Sequence, residues 1–395
     1  MPNKYAATYQ GFDHLCLDEQ LSIEQKNIRA AVRDWVNREV IPIIEDCAQQ
    51  SEFPKQLVPK LGEIGAFGPH IPIEYGGGGL DPVSYGLIMQ ELERGDSGIR
   101  SVASVQSSLV MYPIWKFGSE EQRLRYLPGL ASGKLIGSFG LTEPNHGSNP
   151  SGMETRLLRK DGHYILQGSK MWITNSPVCD LAVVWAKNEE GYIVGVVVER
   201  GMTGFSTPET QHKWSLRASV TGELIFDQVV IPEENILPLA KGLKSPLSCL
   251  TSARYGISWG AIGAAMDCLH TALEYAKERI QFDKPIAAFQ LTQKKLAEML
   301  TEISKAQLLS LQVGKLMGEG KATPAQVSMA KRNNVDMAIH VARECRQILG
   351  GAGITGDYPI MRHMMNLESV ITYEGTHDIH LLITGMEMTG INAIG

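Results

Sequence analysis

Near the far end of the 395-residue chain, Ile371-Thr372-Tyr373-Glu374-Gly375-Thr376-His377-Asp378-Ile379-His380 sets one carboxylate between an aromatic ring and a glycine. The run from Thr376 to Met388 has helical character, and Thr376 is placed to cap it. A carboxylate on a turn ahead of a helix is aimed from a fixed backbone, and burial beside Tyr373 would raise its pKa into general-base range. Taken by itself the stretch has a plainer reading, a capped helix entry with a surface glutamate, because isolated carboxylates are seldom catalytic.

Two other stretches change that balance. Leu141-Thr142-Glu143-Pro144-Asn145-His146-Gly147-Ser148 leaves a strand and enters a turn, offering hydroxyls and amides where a flat, polar-edged ligand could dock. Met171-Trp172-Ile173-Thr174-Asn175 adds an aromatic plane and another hydroxyl. Separately each reads as strand core plus a turn, whereas together they suggest a flavin, whose ring needs donors along one edge and a flat apolar contact. His377 and His380 lie three apart with no third ligand, so no metal site is expected there. Gly351-Ala352-Gly353-Ile354-Thr355-Gly356 satisfies G-x-G-x-x-G, but it follows a helix and not a strand, so a dinucleotide fold is not expected.

The elements that must position these groups fall into three parts. A capping box at Ser22-Ile23-Glu24-Gln25 opens a helix to about Gln50, and further helices are expected over 54–64, 81–94, 101–115 and 120–127. Tyr75-Gly76-Gly77-Gly78-Gly79 reads as a flexible loop, with no Lys-Ser or Lys-Thr behind it to make a phosphate loop. From Leu135, strand-like runs over 135–141, 163–167, 171–174, 181–187, 192–199 and 224–230 predict an antiparallel β-domain. Helical character returns near Pro246. Leu296, Met299, Leu300 and Ile303 form an apolar stripe, and Thr323-Pro324-Ala325-Gln326 is another capping box. The expected organisation is an N-terminal α-helical domain (1–134), a central β-domain (135–244) and a C-terminal four-helix bundle (245–395), an α+β multidomain fold.

Hydrophobic content of 43% supplies a core, and a net charge of −6 without a Lys/Arg block makes nucleic acid and anionic membrane unexpected partners. No apolar run approaches the ~18 residues of a membrane span. Met1-Pro2-Asn3-Lys4-Tyr5 has neither signal-peptide nor transit character, so a cytoplasmic protein is expected. The six cysteines, Cys16, Cys47, Cys179, Cys249, Cys268 and Cys345, are scattered without a C-x-x-C pair and read as buried free thiols.

The motifs Leu-Thr-Glu-Pro-x-x-Gly-Ser (141–148), Trp-Ile-Thr (172–174), Arg279-Ile280-Gln281-Phe282, Gln290, Gln-x-Leu-Gly-Gly (347–351) and Tyr-Glu-Gly-Thr-x-Asp (373–378) fall in order as in the acyl-CoA dehydrogenases, and the chain resembles that family over essentially its whole length. Residues 91–101, 104–108, 253–256 and 373–380 look most like the glutaryl-CoA dehydrogenases within it. The resemblance implies the three-part fold, a homotetramer, FAD as cofactor and an electron-transfer flavoprotein as electron acceptor. It implies that Phe139, Leu141, Thr142, Gly147, Ser148, Trp172, Ile173 and Thr174 hold the flavin, with Thr376 and Asp378 completing that site. Arg279, Phe282, Gln290, Gln347, Leu349, Gly350 and Gly351 would meet the pyrophosphate and adenine side, partly across a subunit interface.

The implied chemistry is removal of a thioester α-proton by Glu374 as hydride passes from the β-carbon to flavin N5, followed by decarboxylation of the glutaryl product to crotonyl-CoA and CO2; the alternatives are a glutaryl-CoA dehydrogenase that stops at the unsaturated diacid and a dehydrogenase of short or branched monocarboxylic acyl-CoA. Leu247, Leu250, Arg254, Ser148 and Gly375 would line the acyl-CoA side. Arg100 would bind the distal carboxylate, Ser104 would add a hydroxyl, and Glu93 would orient or balance Arg100. From spacing alone Arg100 could equally pair with Asp96, four residues earlier. Two positions depart from the family pattern: Ile99 stands in place of tyrosine beside Arg100, and Asn149 in place of aspartate after Gly147-Ser148. The tail, Ile391-Asn392-Ala393-Ile394-Gly395, lacks the expected terminal phenylalanine.

Overall fold

Ser22 caps the first helix as its spacing predicts: its hydroxyl accepts from Gln25 N–H at 3.1 Å, and the Gln25 side chain accepts from Ser22 N–H at 2.9 Å. The computed structural model of the chain describes residues 11–160 and 162–394, so Met1–Tyr5 and Gly395, on which two of the expectations above rest, lie outside the described residues. The expected helix over 22–50 is interrupted. Helix α1 (Ile23–Trp35) passes through a π-turn at Val36–Val40 into α2 (Ile41–Gln50), because Pro42 has no N–H to carry the regular ladder across the junction.

Helix α3 (Leu57–Glu63) leads to the glycine run, which is a compact turn and not a loose loop. There the N–H groups of Gly77, Gly78 and Gly79 donate to Pro72, Gly68 and Ile71, and a Cβ at Gly77 would stand 2.2 Å from the Ile71 carbonyl oxygen. Asp81 caps α4 (Pro82–Gly95) through the N–H of Val83 at 2.8 Å, and Asp96 caps α5 (Ser97–Ser104) through the N–H of Gly98 at 2.6 Å. A second π-turn, Val105–Met111, then carries the chain into α6 (Tyr112–Phe117) and α7 (Glu120–Ala131).

The middle of the chain forms one seven-stranded sheet. Its strands are β1 (Gly137–Gly140), β2 (Arg156–Lys160), β3 (His163–Thr174), β4 (Leu181–Lys187), β5 (Ile193–Glu199), β6 (Phe205–Ser206) and β7 (Thr221–Ile231). The pairing is not wholly antiparallel as expected: β1 runs parallel to β4, with Phe139 opposite Val183, because the β2–β3 hairpin turns the chain back between them. Strand β3 is continuous through Gly168, where the register with β7 shifts between Leu166 and Gly168.

Helix α8 (Lys244–Glu278) packs on α4 and on α10 (Pro324–Ile348), and α9 (Gln290–Gly318) lies beside them. The short hairpin of β8 (Ile280–Gln281) and β9 (Lys284–Pro285) joins α8 to α9, and α11 (Ile360–Thr372) and α12 (His377–Thr389) close the bundle. Met299 and Ile303 of the predicted stripe are fully buried, while Leu296 and Leu300 flank them. Among the described residues no helix is long and apolar enough to cross a membrane. Cys179, Cys249, Cys268 and Cys345 are buried free thiols, whereas Cys16 is exposed and Cys47 half-buried, against the expectation for those two.

Candidate functional site

Thr376 caps α12 by accepting from Ile379 N–H at 3.3 Å, and Glu374 lies in the turn ahead of it, within the segment 373–376 that joins α11 to α12. Its backbone is left-handed, φ 54°, which costs a non-glycine residue about 1–2 kcal/mol. Gly375 follows at φ 99°; a Cβ there would stand 2.9 Å from His380 Nε2, so that position has no room for a side chain. The carboxylate oxygen Oε2 is buried without a hydrogen-bond partner. Burial raises the Glu374 pKa above the ordinary glutamate value of 4.5, while Arg100, Arg254 and Lys331 pull it back. An unbonded, desolvated carboxylate is what a base needs to take a weakly acidic proton.

Arg100 is 1% exposed and is not paired with Asp96. Asp96 is taken by Arg362 at 2.6 Å and by Asn366 at 2.8 Å. Arg100 Nε instead donates to Glu93 at 2.6 Å, and its Nη2 donates to the Tyr373 hydroxyl. Burial works against the guanidinium charge, but Glu93, Tyr373 and Glu374 outweigh it and hold Arg100 above its ordinary value. Helices α4 and α8 approach closely here. A Cβ at Gly260 would lie 1.9 Å from Glu93 Oε2, so a glycine at that position leaves the space in which the pair sits. Ser104, one turn beyond Arg100, is buried with an unpartnered hydroxyl. Ile99, beside Arg100 in sequence, is 1% exposed.

Arg254, on α8, is buried and donates from Nε to the Glu374 carbonyl oxygen at 2.7 Å. Leu250, one turn earlier on α8, is buried, and Leu247 is half-buried. These positions line up along one helix with Glu374 at its side. Ser148 is exposed, on the turn that follows β1.

The expected cofactor residues fall into two groups. In the β-domain, Phe139 and Leu141 are buried and Thr142 is half-buried, and Met171 N–H donates to the Thr142 carbonyl at 2.9 Å, which ties the two motif stretches together. Trp172 is left-handed, φ 61°, and 58% exposed, while Ile173 beyond it is buried. A strained aromatic presented outward beside Thr142 and Thr174 gives a flat apolar platform with polar edges, and a Cβ at Gly147 would meet nothing within 4 Å. This arrangement fits an isoalloxazine ring. At the end of the bundle, Arg279, Phe282, Gln290, Gln347, Gly350 and Gly351 are exposed and Leu349 is buried. Phe282 packs edge-on to Phe289, and Lys295 of α9 donates to Gln347 of α10, so these residues share one end of the fold. Gly350 is left-handed at φ 60°, and a Cβ on it or on Gly351 would meet open space. Thr376 stands at the α12 cap, with Asp378 exposed in the first turn.

Sequence reasoning missed two buried lysines. Lys170 is fully buried on β3 and donates to Glu143 at 2.7 Å and to the Leu141 carbonyl at 3.1 Å. Glu143 also accepts from the N–H groups of Glu154 at 2.5 Å and Thr155 at 3.0 Å, so the pair fastens the 141–148 turn to β3. Burial pulls Lys170 down to about 8, opposed by Glu143. Lys331 lies on the buried face of α10, in line with Val327, Ala338 and Cys345, and that apolar periodicity around a lysine was the available signal. Tyr373 was noted only as a neighbour of the base, not as a partner of Arg100.

Comparison with known proteins places the whole fold in one family. The chain matches the acyl-CoA dehydrogenase N-terminal domain over residues 22–134, the middle domain over 138–229 and the C-terminal domain over 240–389. It is 38% identical to an acyl-CoA dehydrogenase of Bacillus subtilis (strain 168), over 93% of this chain and 98% of that protein. Among solved structures, a glutaryl-CoA dehydrogenase from Mycobacterium smegmatis is 51% identical with a TM-score of 0.96, covering 98% of this chain and 100% of that one. A glutaryl-CoA dehydrogenase from the same organism in complex with FADH2 is 47% identical, also with a TM-score of 0.96 and the same coverage.

Proposed function

The chain belongs to the acyl-CoA dehydrogenase family, a family of FAD-dependent oxidoreductases, and from that premise we propose that it oxidises glutaryl-CoA and then releases the distal carboxyl as CO2, leaving crotonyl-CoA. The observation that carries the substrate reading is Arg100, a permanent cation 1% exposed whose Nη2 donates to the hydroxyl of Tyr373, the residue before Glu374. A monocarboxylic acyl chain has no use for a guanidinium at that place, whereas a glutaryl chain ends in a carboxylate that needs one.

In this reading Glu374 takes the α-proton, and its own backbone N–H stabilises the developing enolate oxygen. FAD, when bound, supplies the acceptor for the hydride that leaves the β-carbon. Phe139, Leu141, Thr142, Gly147, Ser148 and Trp172–Thr174 orient the flavin, with Thr376 and Asp378 at the α12 cap. The unsaturated diacid thioester then loses CO2: the carbon–carbon bond to the carboxyl breaks, its electron pair delocalises into the thioester as a dienolate, and protonated Glu374 returns the proton to the γ-carbon. Arg100 and Ser104 hold the departing carboxylate until that step. Leu247, Leu250, Arg254, Gly375 and Ser148 line the acyl-CoA path. Arg279, Phe282, Gln290, Gln347, Leu349, Gly350 and Gly351 serve the pyrophosphate and adenine end, where a second copy in a homotetramer would cover them. An electron-transfer flavoprotein takes the electrons onward.

The pairing of Arg100 with Glu93 also fits a second reading, a dehydrogenase of short or branched monocarboxylic acyl-CoA in which Arg100 is purely structural. Arg100→Gln separates the two, since glutamine can still donate to Glu93. The glutaryl reading predicts a loss of about 2–5 kcal/mol in transition-state binding for glutaryl-CoA with butyryl-CoA turnover retained. Equal losses on both substrates would favour the structural role.

A further inference from the structure

Glu374 Oε2 has no hydrogen-bond partner, as a base requires, so the side chain itself cannot be what fixes the direction of the carboxylate. The main chain has to do it. That main chain is left-handed at φ 54°, a conformation that persists only when the surroundings over-determine it. Three successive carbonyl oxygens of the turn are each held by a cationic side chain from another helix. Lys331 Nζ donates to Tyr373 O at 3.0 Å and to Gly375 O at 2.9 Å, and Arg254 Nε donates to Glu374 O between them at 2.7 Å.

We propose that Lys331 is a positioning residue for the base, bridging the carbonyls on either side of Glu374 so that the strained turn aims the carboxylate while leaving it unbonded. The inference rests on Glu374 being the base. Lys331 is 1% exposed and sits inside the 25-residue α10, about two turns from its start, a rigid support for a clamp. The charged and titratable groups facing it are Glu374 on the turn, Arg254 on α8, Arg100 on α5 and His380 on α12, with His377 beside His380. Burial pulls Lys331 down to about 7, with Glu374 opposing and the two arginines assisting. Burial, Lys331 and Arg254 push His380 down to about 3, so His380 stays neutral behind the turn. Below about pH 7, where Lys331 carries its proton, it faces one anion, Glu374, and helps keep that carboxyl ionised.

The experiment compares wild type, Lys331→Met and Glu374→Gln, each purified with FAD, by anaerobic flavin bleaching with saturating glutaryl-CoA across pH. A misplacement of about 1 Å costs on the order of 100-fold, so Lys331→Met should keep its flavin, bind substrate with little change and bleach about 10- to 100-fold more slowly. Its acid limb should move to higher pH, because a cation that held Glu374 down is gone. Bleaching at the wild-type rate with the wild-type limb overturns the proposal. So does a slower rate with an unmoved limb accompanied by lost flavin or lowered melting temperature, which is a structural effect. If Lys331→Met does not fold, Lys331→Gln decides, since its amide can still reach one carbonyl: an intermediate rate supports the clamp and an unchanged rate overturns it. Glu374→Gln separates the two claims, for if that variant still bleaches, the base assignment itself fails whatever Lys331 does.

Discussion

The turn at residues 373–375 and the bundle end around Phe282 and Gly350 are both assigned to one reaction, yet they are built in opposite ways. At the turn, charge is buried and the carbonyl oxygens of Tyr373, Glu374 and Gly375 are each held by a side chain from α8 or α10. At the bundle end Phe282 is 85% exposed, and added Cβ atoms at Gly350 and Gly351 would meet nothing. On the proposed reading, the side chains that hold the Glu374 turn come from α8 and α10 of the same chain, because a base with a raised pKa must be desolvated and fixed in advance. The cofactor-holding end is left open to whatever covers it.

The largest effect expected from breaking the first region is at Glu374. Glu374→Gln should slow flavin bleaching by about 100- to 10,000-fold, the usual worth of a general base, with helical content unchanged by circular dichroism. Next is the buried pair under the cofactor turn. Glu143→Gln leaves Lys170 buried beside a neutral partner and should lower stability by about 3 kcal/mol in denaturant unfolding, with weaker FAD retention. The pH dependence sharpens the contrast further. Glu374 works only when deprotonated and burial raises its pKa, so bleaching should fall as pH drops through a limb lying above 4.5. A limb at the value of an exposed glutamate would mean the carboxylate is solvated in the working enzyme. The smallest effect on the folded chain is expected at the open end. Phe282→Ala should change stability by no more than about 0.5 kcal/mol, yet weaken FAD retention measured by flavin absorbance after gel filtration.

The parts legible in sequence were those governed by local chemistry. The capping boxes at Ser22 and Thr323 and the Asp81-Pro82 start all form as their spacing dictates. Strand β2 escaped notice because Arg156-Leu157-Leu158-Arg159-Lys160 buries only Leu157, leaving no alternation to read. Gly168 divided β3 into two apparent strands, because a glycine at a bulge resembles a turn until its partner strand is known. The parallel placement of β1 against β4 depends on pairing between residues 44 apart, such as Phe139 and Val183, and has no local signature. The same limit applies at the site. Glu374 and Arg100 were visible as residue types in motifs, and Glu93 was placed beside Arg100 as observed. The competing pairing with Asp96 was decided only by Arg362, 266 residues away, and Lys331 reaches the turn from 42 and 44 residues away.

The most direct test of the account is anaerobic addition of glutaryl-CoA to the yellow protein, followed by an electron acceptor and mass analysis of the CoA products. Flavin bleaching followed by crotonyl-CoA with CO2 is expected. A flavin that stays oxidised with glutaryl-CoA but bleaches with butyryl-CoA would contradict it.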